Sequence, residues 1–234
     1  MSLDAPLWRA ALELTRRTPA EVVFDVGAHG GAMTTFFLEQ LPQAEVFAFE
    51  PDPQVHALLV EQFADQSRAH VQGVALGERE GVTAFHRGAA TFTSSRFPRN
   101  ASGRRYFRSD YVMVETTQAP LDTLDGFCAR HGVERIDLLK LDTQGGERDI
   151  LLGARELLSG GRIAVIVTEF FVVPHYEGAP LFDEIWSLLR RDGYELFDLF
   201  CGPRGDNGQL RYGDAIFVSP DYRRRWIDSA PPEA

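Results

Sequence analysis

Val22-Val23-Phe24-Asp25-Val26-Gly27-Ala28-His29-Gly30-Gly31, followed 19 residues past its last glycine by Glu50 in Val46-Phe47-Ala48-Phe49-Glu50-Pro51, is the stretch that decides the fold. An apolar strand runs into a tight glycine turn, and a second strand ends in a carboxylate. That is how an α/β sheet holds an adenosine nucleoside. Glycines in the turn let the backbone approach the ligand, where a Cβ would collide with it. The carboxylate accepts hydrogen bonds from both ribose hydroxyls, and its distance along the chain matches one βαβ crossover of about 20 residues.

The turn distinguishes between adenosine cofactors. A dinucleotide fingerprint reads G-x-G-x-x-G, its second glycine letting the backbone reach a pyrophosphate. Here that place holds His29. The run from Asp25 through Gly27 to Gly31 reads D-x-G-x-x-x-G and resembles the first motif of S-adenosylmethionine-dependent methyltransferases. The resemblance implies that Gly27, Ala28, His29, Gly31 and Glu50 hold the cofactor and that Asp25 lies near the ammonium of its methionine part. The alternatives are the nicotinamide cofactor of an oxidoreductase, a protein that binds S-adenosylmethionine without turning it over, or a glycine turn that binds nothing and leaves Glu50 unexplained.

Composition narrows the remaining classes. At 234 residues, 44% hydrophobic and 25% charged, the chain has the size and balance of one globular domain. Its longest purely aliphatic run, 163–167, is far too short to cross a bilayer. The first residues lack the charge order of a signal peptide. A soluble, cytoplasmic protein without a membrane partner is the expectation. Cys128 and Cys201 offer no metal spacing and read as reduced and structural. A net charge of −10 argues against a nucleic-acid partner. Lys140 is the only lysine among 24 basic residues, an arginine excess that points to no function by itself.

Alternating strands and amphipathic stretches predict a Rossmann-like doubly wound α/β fold over 1–234, with a mostly parallel seven-stranded sheet. A leading helix falls within 1–20. Strands follow at 22–26, 45–49 and 70–76, with helices at 31–41 and 53–65 between them. Residues 77–122 read as a small β insert, with ribbon strands at 82–86 and 111–115 around an arginine-rich polar loop. Regular α/β resumes with helices at 123–131, 147–158 and 181–192 and strands at 136–141 and 163–169. Strands 194–200 and 215–218 are joined by a turn too short for a helix, so an antiparallel strand closes the sheet. Residues 229–234 read as a disordered tail.

Three further stretches are more specific. Ile136-Asp137-Leu138-Leu139-Lys140-Leu141-Asp142-Thr143-Gln144-Gly145-Gly146-Glu147 with Gly153-Ala154, Val74-Ala75-Leu76-Gly77, and Tyr176-Glu177-Gly178 with Pro180-Leu181-Phe182 resemble the signature of FkbM methyltransferases. The resemblance covers about 22–218. It implies methyl transfer to a hydroxyl of a small metabolite, natural product or saccharide. It also adds Ala75 and Asp142 to the cofactor site and Tyr176 to the substrate site. The chain departs from the pattern at His29, where asparagine is commonest, at Gln144, where glutamate often sits, and at His175, where an apolar residue is expected. Gln144 removes a negative charge that a metal site would use, so no metal is expected.

Ligands in open α/β sheets lie beyond the carboxyl ends of the strands, where Asp142 and Glu169 fall. Methyl transfer to a hydroxyl needs alignment and a proton acceptor. Asp142 and Glu169 raising each other's pKa would supply one, and His175 is the competing base. Each also has a plainer reading. Asp142 would cap the following helix, Glu169 would sit in a buried ion pair and His175 would face solvent. In the 94–111 loop, Arg96 and Tyr106, among interleaved arginines and rings, suit an anionic or sugar-bearing substrate. The alternatives there are a solvated loop or the contact surface of a homodimer.

Overall fold

The computed structural model describes residues 6–88, 93–100 and 113–229. The chain runs α1 (Pro6–Arg17), β1 (Val22–Val26), α2 (Ala32–Gln40), β2 (Glu45–Phe49), α3 (Pro53–Gln62), β3 (Ala69–Gln72), β4 (Ala75–Leu76), β5 (Gly81–Gly88) and β6 (Met113–Asp122). It continues through α4 (Leu124–His131), β7 (Ile136–Leu141), α5 (Glu147–Leu152), α6 (Arg155–Ser159), β8 (Ile163–Phe171), α7 (Phe182–Arg191), β9 (Glu195–Cys201) and β10 (Tyr212–Val218). A short α8 (Pro220–Tyr222) and a π-helical turn (Arg223–Ile227) follow.

Seven strands form the main sheet in the order β3-β2-β1-β7-β8-β10-β9. All neighbours pair in parallel except β10, which runs against both β8 and β9. The doubly wound fold expected from the sequence is therefore present. The central strands are apolar on both faces because both are covered. Val23, Val46, Leu138 and Val165 pack toward α1, α2 and α3, whereas Phe24, Phe49, Leu139 and Ile166 pack toward α4 to α7.

Two expected elements divide. The strand read at 70–76 splits at Gly73-Val74. β3 extends the main sheet, and β4 leaves it to pair in parallel with β6 in a second sheet of order β4-β6-β5. The helix read at 147–158 splits into α5 and α6. Gly153 ends α5 because a Cβ there would sit 2.0 Å from the Gly77 carbonyl oxygen. The Asp125 carboxylate, from α4, accepts the Glu156 and Leu157 amides at 2.9 and 3.0 Å and starts a new helix. β6 is longer than the 111–115 strand expected, and residues 111–112 and 230–234 lie outside the described residues.

One ion pair joins the sheet's centre. Asp25 of β1 and Lys140 of β7 are register partners on the face covered by α2. The Lys140 ammonium donates to Asp25 Oδ1 at 2.8 Å and to the Gly27 carbonyl at 2.9 Å, while Thr34 Oγ1 of α2 donates to Asp25 Oδ2 at 2.7 Å. Burial opposes the ammonium's charge, but Asp25 and Asp142 outweigh it and hold its pKa above the usual lysine value. Lys140→Met would leave Asp25 charged, buried and uncompensated. Urea unfolding followed by circular dichroism is expected to show a loss of about 3–5 kcal/mol. A loss under about 1 kcal/mol would show that the pair is not a structural centre.

Candidate active site

The turn after β1 is built against the ends of its neighbours. Gly27 and Ala28 N–H both donate to the Phe49 carbonyl at 3.1 and 3.0 Å, and Gly31 N–H donates to the Ala28 carbonyl at 2.9 Å. His29 N–H donates to Glu50 Oε2 at 2.9 Å. Gly27, His29 and Gly31 have positive φ of 81°, 46° and 74°. Two of the glycines also clear the chain itself. A Cβ on Gly27 would lie 1.9 Å from the Asp142 carbonyl oxygen, and one on Gly31 would lie 2.8 Å from Leu59 of α3 and from Phe63 just past its end. Four of the turn's five amides thus donate within the protein. A pyrophosphate, which needs such amides free, is poorly served; a cofactor without phosphates fits.

Beyond this turn lies a cavity whose free space, mouth included, is about 1120 Å³. Glu50 stands in its wall. Its Oε1 accepts the Asp52 amide at 2.8 Å as Oε2 accepts His29, and each oxygen keeps a lone pair for a ribose hydroxyl. Burial, partly offset by those two amide bonds, pushes the Glu50 carboxyl up to about 7. Gly27, Ala28, His29, Ala75 and Asp142 line the same cavity. Asp25 and Gly31 do not: Asp25 is sealed beneath the turn by Lys140 and Thr34, so it supports the site without reaching the ligand side.

The loop after β7 forms the opposite wall. Glu147, at the start of α5, turns its carboxylate back to accept the Thr143 amide and hydroxyl at 2.8 and 3.0 Å and the Gly145 amide at 2.9 Å. Asp142 therefore does not cap the following helix, which opens at Gly146 without a side-chain cap, and the loop amides of Thr143 and Gly145 go to Glu147, which sequence reasoning passed over. Its signal was present in the sequence: an acidic residue opening a helix after Gly145-Gly146. Asp142 is left for the cavity. Gln144 Nε2 donates to Asp142 Oδ1 at 3.1 Å and to Glu169 Oε2 at 2.8 Å, bringing the two expected acids together. Burial, then Asp142, Glu147 and Asp214, push the Glu169 carboxyl well above the usual carboxylate range. Asp214, the register partner of Glu169 on β10, is pushed up to about 7 by burial and Asp142.

His175 and Tyr176 fall behind this wall and not in it. The His175 ring, 4% exposed, bonds the Arg99 guanidinium and stacks on Phe171. Burial, Arg99 and Arg211 push its pKa down to about 3, so it is a poor proton acceptor near neutrality. The Tyr176 hydroxyl lies 2.8 Å from Gln144 Oε1, behind the acids. Arg96 does line the cavity, but its guanidinium is occupied by the Leu76 carbonyl at 3.0 Å, Thr83 Oγ1 at 3.3 Å and Asp149 at 3.7 Å. Tyr106 lies outside the described residues.

Residues 25–196 match the sequence profile of the FkbM methyltransferase domain. The chain belongs to the FkbM methyltransferase family. This FkbM methyltransferase is 33% identical to 2-O-methyltransferase NoeI of Sinorhizobium fredii strain NGR234, over 82% of this chain and 79% of that one. It is 28% identical to 31-O-demethyl-FK506 methyltransferase FkbM of Streptomyces tacrolimicus, over 79% and 78%. Magnesium protoporphyrin IX methyltransferase ChlM of Synechocystis PCC 6803, solved with bound S-adenosylmethionine, shares the fold at 9% identity. The TM-score is 0.50, covering 91% of this chain and 77% of that one. Membership decides between the two cofactors left open by the turn: the chain is an S-adenosylmethionine-dependent methyltransferase. Among the described residues no helix is long and apolar enough to cross a membrane.

The Glu50 carboxyl can accept a hydroxyl on each of its oxygens only when it is ionised. Calorimetric titration of S-adenosylmethionine is expected to give a dissociation constant that is flat above pH 7 and rises as the pH falls below it. Glu50→Gln is expected to weaken binding about 10- to 100-fold and to flatten that dependence. An unchanged pH dependence in the variant would remove Glu50 from the contact.

Proposed function

We propose that this methyltransferase O-methylates a hydroxyl of a saccharide, natural product or other small hydroxylated metabolite, with Asp142 and Glu169 as its proton-accepting pair. The observation that carries the reading is the Gln144-bridged pair of carboxylates, of which Asp142 lines the same cavity as Glu50 and Glu169 stands behind it. Bound S-adenosylmethionine supplies a methyl group already activated by a positively charged sulfur. The chain's own residues have the remaining tasks. Glu50 orients the ribose, and the carboxylates of Glu50 and Asp142 make the cavity favourable for a cation. The acceptor oxygen gains the methyl group, and its proton passes to the carboxylate pair. Acids and an amide at the reacting end suit a neutral acceptor rich in hydroxyls. Of the relatives, NoeI is named a 2-O-methyltransferase and FkbM a 31-O-demethyl-FK506 methyltransferase. A net charge of −10 disfavours nucleic acid as the acceptor.

Purified protein incubated with a panel of sugars and hydroxylated natural products, read by release of S-adenosylhomocysteine, is expected to give turnover with at least one. Asp142→Ala is expected to abolish that turnover while leaving S-adenosylmethionine affinity within about tenfold. Turnover is also expected to fall as pH drops, in a window above the ordinary carboxylate range, because the raised Glu169 carboxyl takes up its proton there. Full activity in Asp142→Ala would remove the pair from the reaction.

A further inference from the structure

Gln144 adopts φ 59°, a left-handed conformation uncommon for a residue with a side chain. Its carboxamide is held at both ends. Nε2 donates to Asp142 Oδ1 at 3.1 Å and Glu169 Oε2 at 2.8 Å, and Oε1 accepts from the Tyr176 hydroxyl at 2.8 Å. The Gln144 backbone carbonyl accepts from Ser95 Oγ at 2.7 Å, fixing the residue from the side of the β5–β6 ribbon. The reverse amide orientation would face an oxygen toward two carboxylates, so the acids and the phenol together determine which way the group points. The NH₂ group lies between two acid oxygens and donates to both. It carries partial positive charge there with no net charge.

We propose that Gln144 is a positioning residue whose carboxamide substitutes for a bridging cation, holding Asp142 and Glu169 as one proton-accepting pair. This rests on the reading of that pair as the base. A glutamate at 144 has the same shape but no N–H to donate. Three carboxylates would then converge, a cluster that repels itself until a hard divalent cation joins it. The neutral amide thus determines that this pair is held by hydrogen bonds.

The test needs no acceptor. Mn²⁺ alone is titrated into the full-length wild type, Gln144→Glu and the double variant Gln144→Glu/Glu169→Gln, and bound metal is read by electron paramagnetic resonance. Far-ultraviolet circular dichroism and thermal unfolding check that each protein is folded. Gln144→Glu is expected to bind Mn²⁺ at least about tenfold more tightly than wild type, and Glu169→Gln is expected to remove the gain. Wild type binding Mn²⁺ as tightly as Gln144→Glu, or a gain that survives Glu169→Gln, overturns the proposal. If Gln144→Glu does not fold, the Gln144 side-chain amide signal in ¹⁵N NMR serves instead. It is expected to shift in Glu169→Gln, and an unmoved signal overturns the proposal. Turnover surviving Asp142→Ala would defeat the base assignment by itself, whatever the manganese result, so the two failures are separable.

Discussion

A lysine and an aspartate sealed between two parallel strands constrain everything around them. Lys140 reaches across from β7 to Asp25 and to the Gly27 carbonyl, so the glycine turn and the loop after β7 cannot move apart without breaking a buried charge contact. Gly27 in turn approaches the Asp142 backbone so closely that no side chain could intervene. The two walls of the cavity are therefore one rigid unit, and the positions of Glu50 and Asp142 follow from it. A lysine suits this place better than an arginine. A compact ammonium can donate to two oxygens in a narrow gap that a planar guanidinium would overfill.

Burial then does to the acids what the ion pair does to the backbone. Glu50, Glu147 and Asp214 are each pushed up to about 7, and Glu169 is pushed well above its ordinary value. In each case desolvation is the leading cause, and neighbouring carboxylates add to it at the Glu169 end. The same protein thus keeps one raised acid in the cavity wall beside the glycine turn and another beside Asp142. The two ends differ in their partners. Glu50 is fixed by main-chain amides, and Glu169 by a side chain that the sequence could exchange.

The main sheet was legible because its strands are short apolar runs at crossover spacing, and 22–26, 45–49 and 136–141 coincide with β1, β2 and β7. What escaped was decided by contacts distant in sequence. Nothing local at 147–158 announces that Asp125 caps a second helix or that Gly153 meets Gly77. Likewise, nothing near 70–76 announces that its two halves join different sheets. In the site, Asp142 and Glu169 were visible as strand-end acids, but their meeting through Gln144 was not, since that bond spans 25 residues. Lys140 could have been found. A chain that uses arginine everywhere else and lysine once marks the place where only lysine fits.

Arg96 binds three elements with one guanidinium, reaching β4 at Leu76, β5 at Thr83 and α5 at Asp149. That fastening sits at the root of the β5–β6 ribbon, and the arginine-rich segment lies beyond it in the chain. Arg96 thereby couples the second sheet to the helix that follows the β7 loop, so the root of the ribbon and that wall of the cavity keep a fixed spacing.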